Sequence, residues 1–254
     1  MSRRLRLALF ALAGPGLAAV LVIGLRGLPA FGDYHGVYGR VANGVELAER
    51  HATDVVTALN FDLRAFDTLG EEFILFASVA GVALLLRHLR DEDEATPATG
   101  IDEHRFARAS DALRALSLML VPVLVALGGY VILHGQLTPG GGFQGGIALA
   151  AGPLSILLAG RYLALKAIAP EWALEALDSL GAAAYALIGI GGLIFASVYL
   201  KDFLPLGIPG HLLSSGMMPL NSLAVGVEVT GAFLLTWTEF LDQALIVKRR
   251  GQPA

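Results

Sequence analysis

The densest chemistry in this 254-residue chain is the stretch Phe61-Asp62-Leu63-Arg64-Ala65-Phe66-Asp67-Thr68-Leu69-Gly70-Glu71-Glu72, which runs into a long apolar segment. On a helix, Arg64, Asp67 and Glu71 share one face, at i, i+3 and i+7. Asp67 and Glu71 then stand one turn apart. Two carboxylates that close beside hydrocarbon resist being ionised together, so they titrate as a unit. Arg64 is the charge partner that holds one of them ionised. Such a step exchanges protons at membrane depth, as a proton or sodium path requires. The same residues also fit a second reading. Thr68-x-x-Glu71 is a capping-box pattern, and acids favour helix N-termini without any ion traffic. Glu72 points to a different face and is not expected to take part.

Glu228 is a second candidate, because it stands alone within Leu223-Ala-Val-Gly-Val-Glu-Val-Thr-Gly-Ala-Phe-Leu-Leu. Counted from Asn221, it lies roughly 10–12 Å into the membrane. A charge there costs about 3 kcal/mol unless it is paired, hydrated or protonated. Gly226 and Gly231 flank it and admit a close neighbouring helix. A structural hydrogen bond to another subunit is the alternative role.

A third feature is His134-Gly-Gln-Leu-Thr-Pro139-Gly140-Gly141-Gly142-Phe143-Gln-Gly145-Gly146. Gly140-x-Gly142-x-x-Gly145 has the form of a dinucleotide fingerprint. It lacks the preceding strand that such a site needs, and no Gly-Lys-Ser/Thr is present for a P-loop. Pro139 starts a helix well, and glycines four apart give a smooth face for helix contact, with Phe143 as a knob upon it. His134 is a candidate proton relay, or simply an interfacial histidine bonded to the turn.

These residues must be held by membrane helices. Apolar residues make up 55% of the chain and charged ones 16%, against about a quarter charged in soluble domains. Six runs approach the roughly 20 residues that cross a bilayer: Leu5–Leu25, Leu69–Leu86, Ala112–Leu133, Phe143–Ala164, Leu180–Leu200 and Leu223–Val247. The first follows Arg3, Arg4 and Arg6 but is longer than the roughly 7–15 apolar residues of a signal peptide, so it is expected to stay as a span. With the N-terminus inside, 13 of the 18 Lys and Arg fall on cytoplasmic segments. The expected fold is therefore all-α and polytopic, with about six transmembrane helices and both termini cytoplasmic. Val41–Leu59 is expected to form a surface helix in the long outer loop. Residues 91–110, containing Asp91-Glu-Asp-Glu94, Pro97 and Gly100, read as a cytoplasmic linker between a two-span module (1–90) and a four-span module (111–254).

The absence of cysteine removes thiolate metal sites, iron–sulfur ligation and disulfides. The six histidines are scattered, so neither a metal site nor a cofactor is expected. No basic face suggests nucleic acid, and no nucleophile–base set suggests covalent catalysis.

Ala52-Thr-Asp-Val-Val-Thr-Ala-Leu followed by Asp62-Leu-Arg-Ala-Phe-Asp-Thr-Leu-Gly-Glu resembles the C-terminal region of the large MrpA protein, and is similar to the E-type component of membrane-bound hydrogenases. The segment His134-Gly through Pro139-Gly-Gly-Gly-Phe-Gln-Gly-Gly resembles the MnhB/MrpB family. The chain departs from the first pattern at Asn60, where an apolar residue is common, and its last span with Glu228 looks more like hydrogenase-type versions. The resemblance implies a subunit of a multi-subunit Na+/H+ antiporter in the cell (inner) membrane, partnered by other Mrp-type or hydrogenase-type membrane subunits. It implies Asp67 and Glu71 as candidates for the ion path, and Pro139 and Phe143 as important positions of the B-type module. A membrane-arm subunit of a redox-driven pump and a non-conducting scaffold are the alternatives.

Overall fold

The computed structural model describes residues 3–28, 30, 36–91 and 109–250. Among them it contains helices and no strands: α1 (Arg3–Arg26), α2 (Val37–Arg50), α3 (Val55–Ala58), α4 (Ala65–Asp91), α5 (Asp111–Leu133), α6 (Gly142–Leu158), α7 (Tyr162–Ile168), α8 (Glu171–Ala196) and α9 (Met218–Arg250). Five are long and apolar enough to cross a membrane, through Leu9–Arg26, Ala65–Leu86, Asp111–Leu133, Glu171–Ala196 and Met218–Gln243. The chain is an all-α, multi-pass membrane protein. The expected linker at 91–110 falls almost wholly outside the described residues. By its contacts the chain forms two compact units, Met1–Val41 and Ala42–Ala254.

The fourth expected span is shorter than Phe143–Ala164. Helix α6 ends at Leu158, where Gly160 turns the chain at φ +76°, and α7 then runs on separately. The expected surface helix is also divided. His51 takes φ +53° after α2, and Asp54 caps a new helix by accepting from the Thr57 amide at 2.9 Å.

In the second unit α9 is the axis, with 72% of its span buried. Helices α4, α6 and α8 pack along it, and α5 packs on α6. Glycines set these contacts. A methyl group on Gly146 would stand 2.8 Å from the Val229 side chain of α9, and one on Gly145 would stand 2.8 Å from the Gly128 carbonyl of α5. Such spacing lets backbones meet where bulkier residues would hold them apart. The outward surface is apolar, with Phe66, Ile74, Leu84, Ile194 and Phe195 all well exposed.

Candidate functional site

Entry into α4 is irregular. A wide π turn covers Leu59–Leu63, and Arg64 leaves helical geometry at φ −132° before α4 starts at Ala65. Thr68 therefore lies inside α4 rather than at its cap. Its hydroxyl donates back to the Asn60 carbonyl at 2.8 Å, so the anticipated capping box does not form. From Ala65 onward one stripe of α4 faces inward: Ala65, Thr68, Glu72, Val79 and Ala83 are all buried. Adjacent positions on a helix point about 100° apart, so Glu71 is exposed while Glu72 is 1% exposed.

Glu72 meets α9 at Glu228, which is fully buried. The two carboxyl groups lie within hydrogen-bonding reach of each other. None of their four oxygens has a donor among the described residues. Ionised carboxylates only accept, so a bond between them forms when one holds a proton. Asp178 of α8 is the third buried acid near the pair. Two glycines bring α8 close enough: a methyl on Gly181 would stand 2.5 Å from Glu228 Cβ, and one on Gly231 would stand 2.6 Å from the Asp178 nitrogen. Tyr185, also fully buried on α8, donates its hydroxyl to the Ala65 carbonyl at 3.0 Å and packs its ring against Phe61.

A second polar network lies in the loops beyond these helices. Arg50 pairs with Asp62. Asp202 accepts from the amides of Leu204 at 3.0 Å and Met217 at 3.2 Å. Burial pushes the Asp62 carboxyl above its ordinary value, against the opposing pull of Arg50. Burial likewise raises Asp202, opposed by its two amide donors. Asn221, at the start of α9, reaches the Phe61 carbonyl at 3.5 Å. The turn after α5 joins this network: the Thr57 hydroxyl donates to the Gly135 carbonyl at 2.7 Å, and buried Gln136 donates to the Leu212 carbonyl at 2.7 Å.

The residues singled out from the sequence separate into groups. Arg64 and Asp67 are bonded at 2.6 Å on the exposed face of α4, on the side of Glu71 and away from Glu228. His134 caps the end of α5 and stacks on Tyr130 at 4.3 Å between ring centres. It belongs to the turn rather than to the carboxyl pair. Pro139 and Gly140 lie in that turn, and Gly141 at φ +122° precedes α6, a torsion closed to most side chains. Gly142 and Gly146 face α9 at Val225 and Val229, Gly145 faces α5, and Phe143 packs partly buried in the same core. Glu72 was expected to take no part because it points to a different face from Asp67 and Glu71; that face is the one turned inward to Glu228, so the expectation is reversed. Asp178 and Tyr185 were not singled out, and Asn221 served only to mark the start of the last span. Among the described residues no group of three or more Asp, Glu or His is placed to hold a metal ion.

A family described as a domain related to the MnhB subunit of Na+/H+ antiporters matches residues 112–235. An uncharacterized protein of Methanocaldococcus jannaschii is 32% identical over 222 residues, covering 76% of this chain and 81% of that protein. The chain belongs to the MnhB-related family. The matched domain runs from α5 into α9 and holds Asp178 and Glu228; Glu72 lies before it. A probable K(+)/H(+) antiporter A/B component of Rhizobium meliloti is 33% identical over 119 residues, which cover 41% of this chain and 12% of that protein. Among solved structures, an archaeal respiratory complex, the membrane-bound sulfane sulfur reductase, matches with TM-score 0.72 and 27% identity, over 93% of this chain and 98% of that one. A chain of the Mrp complex of Dietzia sp. shares the fold, with TM-score 0.71 and 24% identity, over 94% of this chain and 26% of that one.

Proposed function

We propose that this MnhB-related chain is a subunit of a multi-subunit monovalent cation/proton antiporter of the cell membrane, and that it lends buried carboxyls to the ion pathway. The observation that carries this reading is the Glu72–Glu228 pair, two unpartnered acids inside membrane helices. An intramembrane acid is expensive to keep, at about 3 kcal/mol or more if charged. Helix packing alone gains nothing from it, since apolar residues of that size would pack as well. The exposed Arg64–Asp67–Glu71 face is then the part of the route that meets a neighbouring subunit, with His134 at its margin. The glycines 140–142, 145 and 146 hold α6 to the helices beside it. Both termini lie in the cytoplasm in this reading, and the N-terminal segment to residue 90 acts as the E-type module.

The test is cation-dependent proton movement in everted vesicles that carry the whole complex. Glu228→Gln and Glu71→Gln are each expected to lower exchange while the complex still assembles. Unchanged exchange in both would reduce the chain to a scaffold.

One observation favours a second host. The respiratory-complex chain is matched over nearly its whole length. If the wild-type vesicles exchange ions only when a reductant is supplied, the subunit serves a redox-driven pump.

A further inference from the structure

We propose that Glu72 and Glu228 form one proton-binding site, sharing a single proton between two carboxyl groups, and that the site takes no metal cation. The inference rests on the ion-handling reading above and names its ligand. Both side chains are buried, at 1% and 0% exposure, and all four oxygens lack a donor. Their carboxyls nevertheless lie within hydrogen-bonding reach. Two acceptors held together in this way need a proton between them or a cation beside them.

The surroundings leave little for a cation. A desolvated hard cation collects a cage of oxygen ligands. The acids of this region do not converge in that way, since no group of three or more Asp, Glu or His is placed for metal binding among the described residues. The nearby hydroxyls give their protons elsewhere, Thr68 to the Asn60 carbonyl and Tyr185 to the Ala65 carbonyl, so neither donates to the pair. On the α8 side Gly181 closes directly on the Glu228 backbone. The other titratable groups toward the pair are Glu71 on α4 and Asp178 and Tyr185 on α8. All are acids. No ion pair among the described residues supplies Glu72, Asp178 or Glu228 with a positive charge. A proton satisfies both carboxyls with one short bond and occupies no volume.

The test is infrared spectroscopy of the assembled complex in lipid vesicles, reading the C=O stretch of protonated carboxyls in H2O and in D2O. The expected result is a deuterium-sensitive band at neutral pH that moves when the protein carries 13C-glutamate. It should change in Glu72→Gln and in Glu228→Gln, and vanish in the double variant. It should be indifferent to replacing choline chloride with NaCl or KCl at fixed pH. Absence of a glutamate band in the wild type overturns the proposal, and so does its survival in the double variant. A band that disappears on adding Na+ or K+ also overturns it, because a cation is then displacing the proton. If the double variant does not assemble, the single variants decide the matter: a glutamate band unchanged in both Glu72→Gln and Glu228→Gln overturns the proposal. A band behaving as expected, with exchange unaffected by Glu228→Gln, would keep the proton site and remove its transport role. Exchange lost together with a cation-displaced band would do the opposite.

Discussion

Replacing Gly181 with alanine tests the packing that creates the carboxyl site. The added methyl would sit 2.5 Å from Glu228 Cβ and nitrogen and 2.6 Å from its Cα. Carbon contacts are comfortable at about 3.5–4.0 Å, so α8 and α9 must part by about 1 Å. Backbone atoms cannot rotate away as a side chain would. Overpacking of this kind costs about 1–3 kcal/mol, and a gap of about 1 Å forfeits up to half of the dispersion attraction of the neighbouring layer. Alanine repays up to about 1 kcal/mol of that through its better helix propensity. The net expectation is destabilisation by about 1–2 kcal/mol. Gly129→Ala is the control, because nothing lies within 4 Å of its added methyl; it should be neutral or stabilising by up to about 1 kcal/mol. Gly231→Ala strikes the same interface, 2.6 Å from the Asp178 nitrogen. Once the helices have parted for one methyl, the second costs less, so the double variant should fall short of additivity. The assay is reversible unfolding of the purified protein in mixed detergent micelles, with all four variants side by side. If Gly181→Ala unfolds at the same denaturant fraction as Gly129→Ala, the tight α8–α9 contact is refuted, and the enclosure of Glu228 with it.

Glu228→Gln should leave the unfolding midpoint unchanged or raise it, since the amide donates to Glu72 without a shared proton; a large loss of stability would show Glu228 paired with something else. The loop acids set a pH dependence. Asp62 and Asp202 are raised above 3.8 by burial, so the folded state holds their protons more tightly than the unfolded chain. Their contribution to stability is full below 3.8 and is lost as pH rises through the folded values. Asp202→Asn keeps an acceptor for the Leu204 and Met217 amides and should flatten that slope in a pH series of unfolding midpoints, whereas an unaltered slope would clear Asp202 of it. Gly216→Ala should release the loop before α9, because Gly216 sits at φ +57° with its missing methyl position on the Asp202 carboxyl; faster hydrogen exchange at Leu204 and Met217 would register it, and unchanged protection there would contradict it.

The helices were legible because apolar runs of membrane length leave few alternatives. Their ends were not. Helix α4 begins at Ala65 rather than Leu69 and α8 at Glu171 rather than Leu180, because polar first turns look like loop in a hydropathy reading. The late start assigned to α8 left Asp178 outside the expected span. Glu228 stood out because a lone acid among apolar residues has no cheap explanation. Glu72 did not, and the reason is physical. Grouping by charge joins Arg64, Asp67 and Glu71, the face of α4 that solvates or pairs its own charges and so turns outward. The informative face is the other one. Ala65, Thr68, Glu72, Leu75, Val79 and Ala83 recur at helical spacing and are small or apolar except for Thr68 and Glu72, a composition fitted to pack against α9. An acid among like company on an exposed face costs little and therefore says little. An acid on a packing face costs a great deal, and a second acid opposite it on the partner helix makes the two explicable only together.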